Sequence, residues 1–307
     1  MAIDAEIWLV RGMMADIVCN LCGASDARVL FRKDSTDFVQ CRQCGLEWVH
    51  PLPDMDRMRE LYSSPKYYNT DNISQYGYSE YVRNKHLYVN LFNRRLDELL
   101  QYTDGIRGQL LDVGCATGTL LELARLRGWD VRGVDISAYA TSIARDYYCL
   151  DVVTGELADA EYGDGQFDVV VMDDLIEHVA DPAALVREGR RILKPGGLLT
   201  LNTPNRAGLW HLFMGRRWFH YRQMEHTFFF SPAVMTDLLH RHGFDVLEIH
   251  SSSKIIDLNY AFGRLRYYNM TLSNLLTRTV GRLLISSVTF PIRVGEMAVF
   301  ARKREVG

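Results

Sequence analysis

The sequence predicts an α/β fold, in which a seven-stranded sheet carries helices on both faces and a small metal-binding module precedes it. From residue 109 onwards, apolar strand patterns alternate with helical patterns, as is typical of βαβ units in a parallel sheet. The first strand leads into Asp112-x-Gly114-x-x-x-Gly118, where two glycines can turn the chain sharply into a helix. Two Cys-x-x-Cys pairs near the N-terminus predict the additional module.

The elements follow one another regularly along the chain. After a helix within 78–100, strands are predicted at 109–113, 130–134, 149–153, 167–172 and 198–202, with helices at about 118–127, 137–146, 181–193 and 231–242. Ser137 and the Asp181-Pro182 step are signals of helix N-termini. Strands at 245–250 and 296–302 bring the predicted total to seven.

Four cysteines predict a zinc site. Cys19, Cys22, Cys41 and Cys44 form two pairs separated by 18 residues, a spacing that points four thiolates at one tetrahedral ion. Strand patterns at 28–32 and 38–40 lie between the pairs, so we expect a zinc ribbon. The four thiolates leave no position for water, which indicates a structural metal. Redox pairs or disulfides are the less favoured alternative in a cytoplasmic protein.

The composition narrows the class of protein. The 307 residues are 48% hydrophobic, which supports a large core, and the net charge is only −3, which disfavours a nucleic-acid partner. No apolar run is long enough to cross a membrane. The first residues are acidic where a secretion signal would be basic, so we expect a cytoplasmic protein.

Three domains are predicted. Residues 1–53 hold the lead-in and ribbon, 54–100 a tyrosine-rich connector with its helix, and 101–307 the α/β domain with a helical insertion at about 252–293. The connector is either a lid over a partly polar ligand or a segment packed on the main domain. The insertion is interpreted as packing or homodimer contact, or as a substrate cap or membrane-surface patch at 260–293.

Further motifs follow the glycine loop in register. Asp135 ends the second strand, Gly155-Glu156-Leu157 follows the third, and Phe-Asp-Val-Val opens the fourth. Glu-His-Val and Leu-Lys-Pro-Gly-Gly then follow at 177–179 and 193–197. Over about 78–250, this set resembles the class I S-adenosylmethionine-dependent methyltransferases, whose sheet is Rossmann-like. In open α/β sheets, ligands bind outside the carboxyl ends of the strands, where these motifs lie.

The resemblance implies roles for individual residues. Gly114 and Gly118 would border the cofactor's methionine portion, and Asp135 would hold its ribose hydroxyls. Asp112, at the end of the first strand, can accept from polar groups of the ligand. Ile136 would lie against the adenine, and Glu156 and Leu157 would face the edge of the adenine. Asp173 would line the site near the methyl sulfonium.

The region after the fifth strand indicates which class of molecule accepts the methyl group. With the ribbon and the tyrosines, Glu225-His226 resembles the deoxysugar C-methyltransferases. By that resemblance His226 would be the general base, Glu225 its partner, and one of Tyr67, Tyr68 or Tyr76 a substrate contact. Those enzymes carry a further large C-terminal domain, which the sequence up to Gly307 does not match. His178, after the fourth strand, is the alternative base.

Two other functions stay open. A zinc ribbon could serve an RNA methyltransferase, although the charge and the lack of an Asn/Asp-Pro-Pro-Tyr/Phe motif after the fourth strand disfavour it. A non-catalytic cofactor-binding scaffold is the second alternative. We expect methyl transfer to a small molecule such as a nucleotide-activated sugar, glycan or secondary metabolite.

Overall fold

A computed structural model of the chain describes residues 17–64, 67, 85–222, 225–257, 270–279 and 289–305. The predicted contacts Tyr68 and Tyr76, the lead-in up to residue 16, most of the tyrosine-rich connector and two parts of the insertion lie outside the described residues.

Strands and helices have the following bounds. The strands are β1 (Ala27–Lys33), β2 (Thr36–Cys41), β3 (Glu47–His50), β4 (Gln109–Val113), β5 (Asp130–Asp135), β6 (Val152–Thr154), β7 (Phe167–Asp173), β8 (Leu193–Pro204), β9 (Phe228–Phe229), β10 (Phe244–Asp257) and β11 (Thr289–Lys303). The helices are α1 (Met55–Ser63), α2 (Lys85–Tyr102), α3 (Thr119–Leu126), α4 (Ala138–Asp146), α5 (Pro182–Ile192), α6 (Leu209–Met214), α7 (Pro232–Arg241) and α8 (Met270–Thr279).

The central sheet confirms the predicted fold class. Within the described residues it has seven strands in the order β10-β11-β8-β7-β4-β5-β6. Strands β4 to β8 pair in parallel, and β11 runs antiparallel to both of its neighbours. The strand order reverses between β4 and β7, so ligands are expected at the carboxyl ends of these two strands.

Apolar side chains cover both faces of the sheet. Along β7, Val170 and Met172 pack into one core cluster with α5 and α7, whereas Val169 and Val171 pack into another with α2 and α3. A strand that is buried on both faces needs apolar side chains at nearly every position. This explains the Phe-Asp-Val-Val-Val-Met sequence of β7.

The last two strands are longer than predicted. Their pairing extends from Phe244↔Lys303 to Asp257↔Thr289, so it takes up both ends of the predicted insertion. Of the remainder, the structure describes only α8. No described helix is long and apolar enough to span a membrane.

The ribbon shares its sheet with the α/β domain. Strands β1, β2 and β3 form an antiparallel sheet, and β9, which the sequence did not predict, adds a fourth strand beside β3. Beneath this sheet, Phe38, Trp218 and Phe229 are fully buried in one cluster. The Tyr221 hydroxyl donates to the buried carboxylate of Glu47 at 3.0 Å. The ribbon therefore packs directly on the residues that follow β8.

Candidate active site

A cavity of about 320 Å³ opens at the carboxyl ends of β4, β5 and β7. This volume lies at the lower end of the range for small-molecule sites, roughly 300–1,000 Å³. Its walls come from the glycine loop, from the end of β5, from the residues that follow β6 and β7, and from α5. The remaining wall is formed by α1, a helix the sequence did not predict, and by Tyr67 beyond it. The walls include Met58, Arg59, Tyr62, Tyr67, Gly114, Asp135, Ile136, Glu156, Leu157, Asp174 and His178.

The glycine loop has the backbone conformation that its glycines predict. Gly114 and Gly118 have φ values of 80° and 78°, in the left-handed region that favours glycine. A Cβ atom at Gly118 would also lie 2.5 Å from Cδ1 of Leu150. Gly118 is the N-cap of α3 without a side-chain cap, which suits a helix N-terminus that receives a polar ligand. Asp112 is buried just before this loop but does not line the cavity, and its burial raises its pKa well above the ordinary value.

Asp135 links β5 to the glycine loop. Its two carboxylate oxygens accept from the backbone N–H groups of Ala116 and Ser137, each at 2.8 Å. Each oxygen keeps a further lone pair, so the carboxylate can also accept from hydroxyl groups of a ligand. Burial raises its pKa, whereas the two N–H donors lower it. Asp135 and the neighbouring Ile136 both line the cavity, so an adenosine could lie against them.

Glu156 and Leu157 lie on the adjoining wall. Leu157 is buried, whereas the half-exposed Glu156 forms an ion pair with Arg59 of α1. The sequence pattern did not reveal this partner, which lies 97 residues away along the chain.

Of the two aspartates at the end of β7, Asp173 and Asp174, the cavity is lined by the second and not by the predicted first. Asp173 is bound by the buried Arg95 of α2, through contacts of 2.8 Å and 3.2 Å, and does not line the described cavity. Asp174 lines it instead, with φ at 50° and with Oδ1 accepting from Nδ2 of Asn202 at 2.8 Å.

The histidines form a compact cluster with Glu177. His178 lines the cavity, and its ring lies 4.9 Å from that of His226, centroid to centroid. Nδ1 of His178 donates to the carbonyl oxygen of Glu225 at 2.7 Å and lies 3.1 Å from the Tyr62 hydroxyl. Burial lowers the pKa of both imidazoles, so both are neutral near pH 7.

Glu225 has a different contact from the predicted one. Its carboxylate pairs with Arg222 at 3.3 Å, and its backbone carbonyl orients His178. Nδ1 of His226 donates instead to the carbonyl oxygen of His220 at 2.9 Å.

Tyr67 is the one predicted tyrosine contact among the described residues, and it lies in the cavity wall. It is buried with its ring 5.0 Å from that of Tyr62. Tyr62 itself reaches His178 from α1, so this helix brings one aromatic side chain into contact with both the cavity and the histidine cluster.

The four ribbon cysteines come together as predicted. Their sulfur atoms lie within 4.8 Å of one another, and two pairs, Cys19–Cys44 and Cys22–Cys41, are 3.5 Å apart. Tetrahedral Zn–S bonds of about 2.3 Å require S···S separations of about 3.8 Å, so the group fits one zinc ion. Glycines with positive φ, Gly23 and Gly45, close the two turns.

The ribbon touches the loops of the site directly. The N–H of Val49 in β3 donates to the carbonyl of Thr227, whose own N–H donates to the carbonyl of Glu177 at 2.7 Å. Nδ2 of Asn20, between the first two cysteines, donates to the carbonyl of Ala180 at 3.2 Å.

Comparison with known proteins agrees with this architecture. A family model described as a methyltransferase domain matches residues 81–249. Ubiquinone biosynthesis O-methyltransferase of Idiomarina loihiensis is 39% identical over 123 residues, covering 36% of this chain and 49% of that protein. The protein of the same name from Alkalilimnicola ehrlichii is 37% identical over 128 residues, covering 39% and 51%. The chain thus spans about half the length of the curated relatives it matches.

Solved structures with the same kind of domain are more distant in sequence. A SAM-dependent methyltransferase from Archaeoglobus fulgidus is 21% identical, with a TM-score of 0.49 and coverage of 70% of this chain and 94% of that one. From the family match and the sheet described above, we conclude that this chain belongs to the methyltransferase-domain family and carries the Rossmann-like fold of a class I methyltransferase domain.

Proposed function

We propose that the protein transfers a methyl group to an oxygen atom of a small-molecule acceptor. The observation that carries this proposal is that a neutral imidazole, on His178, and the Tyr62 and Tyr67 rings share one cavity with Asp135. A hydroxyl group of a nucleotide-activated sugar, glycan or similar secondary metabolite is the favoured acceptor. The sugar class follows the resemblance to the deoxysugar C-methyltransferases, whereas the oxygen atom follows the relatives that are named O-methyltransferases.

A phenolic acceptor is the second candidate. Relatives 37% to 39% identical over parts of the chain are named ubiquinone biosynthesis O-methyltransferases. The apolar and aromatic wall formed by Met58, Tyr62 and Tyr67 would suit the ring of such a compound.

For the donor side, we propose that Asp135 accepts from the ribose hydroxyls and that Ile136 and Leu157 pack on the adenine. Gly114 and Gly118 would admit the methionine portion, with Asp112 beneath them. Glu156 would reach the adenine edge after release from Arg59. S-adenosylmethionine supplies an electrophilic methyl group on its sulfonium. Because Asp173 is bound by Arg95, we propose that Asp173 stabilises the wall of the site and that Asp174 contacts the ligand.

For the acceptor side, we propose that the cluster of Glu177, His178 and His226 activates the acceptor oxygen. His178 faces the cavity, and the carbonyl of Glu225 fixes its ring. His226 does not line the cavity, so it would act through its contact with His178 and not directly on the acceptor. Because methyl transfer is an in-line displacement, correct placement of the acceptor supplies much of the rate.

The remaining assignments concern the metal, the partners and the compartment. We propose that Cys19, Cys22, Cys41 and Cys44 hold a structural Zn²⁺ that braces the loops at Glu177 and Ala180. We further propose a cytoplasmic protein without a nucleic-acid partner, whose segment 260–293 contacts either a membrane surface or a second copy of the chain.

An acceptor screen with methyl-labelled S-adenosylmethionine tests the proposed function. Label should pass to a nucleotide sugar, glycan or phenol, and His178→Ala should reduce the transfer by about 100-fold, as a lost general base does. His240→Ala, on the exposed side of α7, is the matched control and should keep full activity. Label in RNA, with affinity falling steeply as salt rises, would show the proposal to be wrong.

A further inference from the structure

We propose that Glu177, His178 and His226 form a binding site for a divalent transition-metal ion, distinct from the ribbon's cysteine site. One oxygen of Glu177 and one ring nitrogen of each histidine lie within 4.8 Å of one another. Two histidines and one carboxylate are a ligand set that binds first-row divalent metals and leaves further positions open.

The backbone orients both rings for this role. Nδ1 of His178 lies 2.7 Å from the carbonyl oxygen of Glu225, and Nδ1 of His226 lies 2.9 Å from that of His220. Because a carbonyl oxygen only accepts, each Nδ1 must carry the proton. The lone pair of each neutral ring is therefore on Nε2. A ring N–H donated to a backbone carbonyl is the usual way in which proteins orient a metal-binding histidine.

The carboxylate is oriented in the same manner. Glu177 is 1% exposed, and its Oε2 accepts from the Thr203 hydroxyl at 2.9 Å. Its Oε1 lies 3.9 Å from Nε2 of His178, which is too long for a hydrogen bond. Two electron-pair acceptors thus face each other in a buried place, and a cation between them would satisfy both.

The surrounding charge also favours a cation. Asp174 and the buried Glu296 both interact electrostatically with Glu177. Lys254 lies 2.6 Å from Glu296 and 3.9 Å from Asp174, so one ammonium group is shared between two of these three carboxylates. A divalent ion at Glu177 would balance the excess negative charge.

The donor types indicate which ions fit. Imidazole nitrogens with one carboxylate suit Zn²⁺, Fe²⁺, Co²⁺ or Mn²⁺ better than Ca²⁺. Since His178 lines the cavity, an ion here could bind an acceptor hydroxyl and lower its pKa. In the metal-bound protein, His178 would then activate the acceptor by holding the ion and not by taking the proton itself. That role rests on the proposed function, whereas the binding of the ion does not.

A Mn²⁺ titration without methyl donor or acceptor tests the site. The full chain, with its ribbon zinc in place, is titrated with Mn²⁺ in a calorimeter after removal of loosely held metal. We expect one Mn²⁺ per chain. Glu177→Gln and His226→Gln should each weaken binding by about tenfold or more, and the exposed control His240→Gln should leave it unchanged.

A spectroscopic measurement on the wild-type protein covers the case in which these variants fold poorly. Electron spin-echo modulation of the bound Mn²⁺ should reveal two imidazole nitrogens. If the wild-type protein takes up no ion beyond the ribbon zinc, the proposal is overturned. An ion that shows no imidazole coupling would overturn it as well. Neither result depends on finding an acceptor, so failure of this proposal differs from failure of the proposed function.

Discussion

The ion pair between Arg95 and Asp173 leads to a prediction about stability. Arg95→Met removes the guanidinium but keeps an unbranched apolar side chain of similar length on α2. The guanidinium makes two contacts with Asp173 and also lies 4.9 Å from the ring centre of Phe300. The variant therefore leaves the Asp173 carboxylate buried without its counter-charge.

The magnitude follows from the burial of both partners. The side chains of Arg95 and Asp173 are only 7% and 19% exposed, so solvent screens the pair weakly. Removing one partner of a buried ion pair typically costs about 3–5 kcal/mol. At about 2–4 °C per kcal/mol for a domain of this size, the melting temperature should fall by roughly 6–20 °C.

The loss should also depend on pH, with a definite sign. Burial already raises the pKa of Asp173 above its ordinary value, and removing Arg95 raises it further. An acid whose pKa is higher in the folded state destabilises the protein as pH rises from its unfolded to its folded pKa. The deficit of Arg95→Met should therefore be larger at pH 8 than at pH 5.

Thermal denaturation at these two pH values checks both expectations. Arg94→Met, one position earlier on α2 and exposed, is the matched control and should melt close to the wild type. Adding Asp173→Asn to Arg95→Met should restore part of the loss, because the unpaired charge at position 173 is then removed as well. If Arg95→Met melts within about 2 °C of the wild type, or loses more stability at pH 5 than at pH 8, the buried ion pair is not the cause.

Two further predictions concern the ribbon and the sheet. Cys41→Ser should reduce bound zinc well below one per chain and lower the melting temperature, whereas Cys149→Ser, at an exposed cysteine outside the ribbon, should do neither; full zinc content in Cys41→Ser, by metal analysis, would contradict a four-thiolate site. Gly133→Ala should destabilise the protein by about 1–3 kcal/mol in urea denaturation. Its added Cβ would lie 2.6 Å from Leu121. Gly163→Ala, with no atom closer than 3.9 Å, should be neutral, and equal stability of the two glycine variants would refute this packing argument.

The fold was predictable because its signals are local. The apolar runs of β4 and β7 and the turn at Gly114 each depend on neighbouring residues, and the structure confirms all three. The cysteine cluster could be predicted equally well, because two Cys-x-x-Cys pairs at this spacing are typical of a single four-thiolate site.

Contacts between distant residues could not be predicted from local patterns. Asp174, and not the predicted Asp173, lines the cavity, and Asp173 is bound by Arg95 instead. Arg95 lies 78 residues before Asp173 in the chain, so no local pattern reveals this contact. Likewise, the sequence neighbours Glu225 and His226 suggested a pair, but the Glu225 carbonyl contacts His178, 47 residues away. The two-residue strand β9 carries too short a pattern to reveal that it pairs with the ribbon.

Calorimetric titration with S-adenosylmethionine tests the central claim that Asp135 and the glycine loop form the donor site. The wild type should bind one molecule per chain. Asp135→Asn, which removes the charge but keeps the shape, should bind about tenfold or more weakly. Asp146→Asn, an exposed change at the end of α4, should match the wild type. No binding by the wild type, or equal affinity in Asp135→Asn, would contradict the claim.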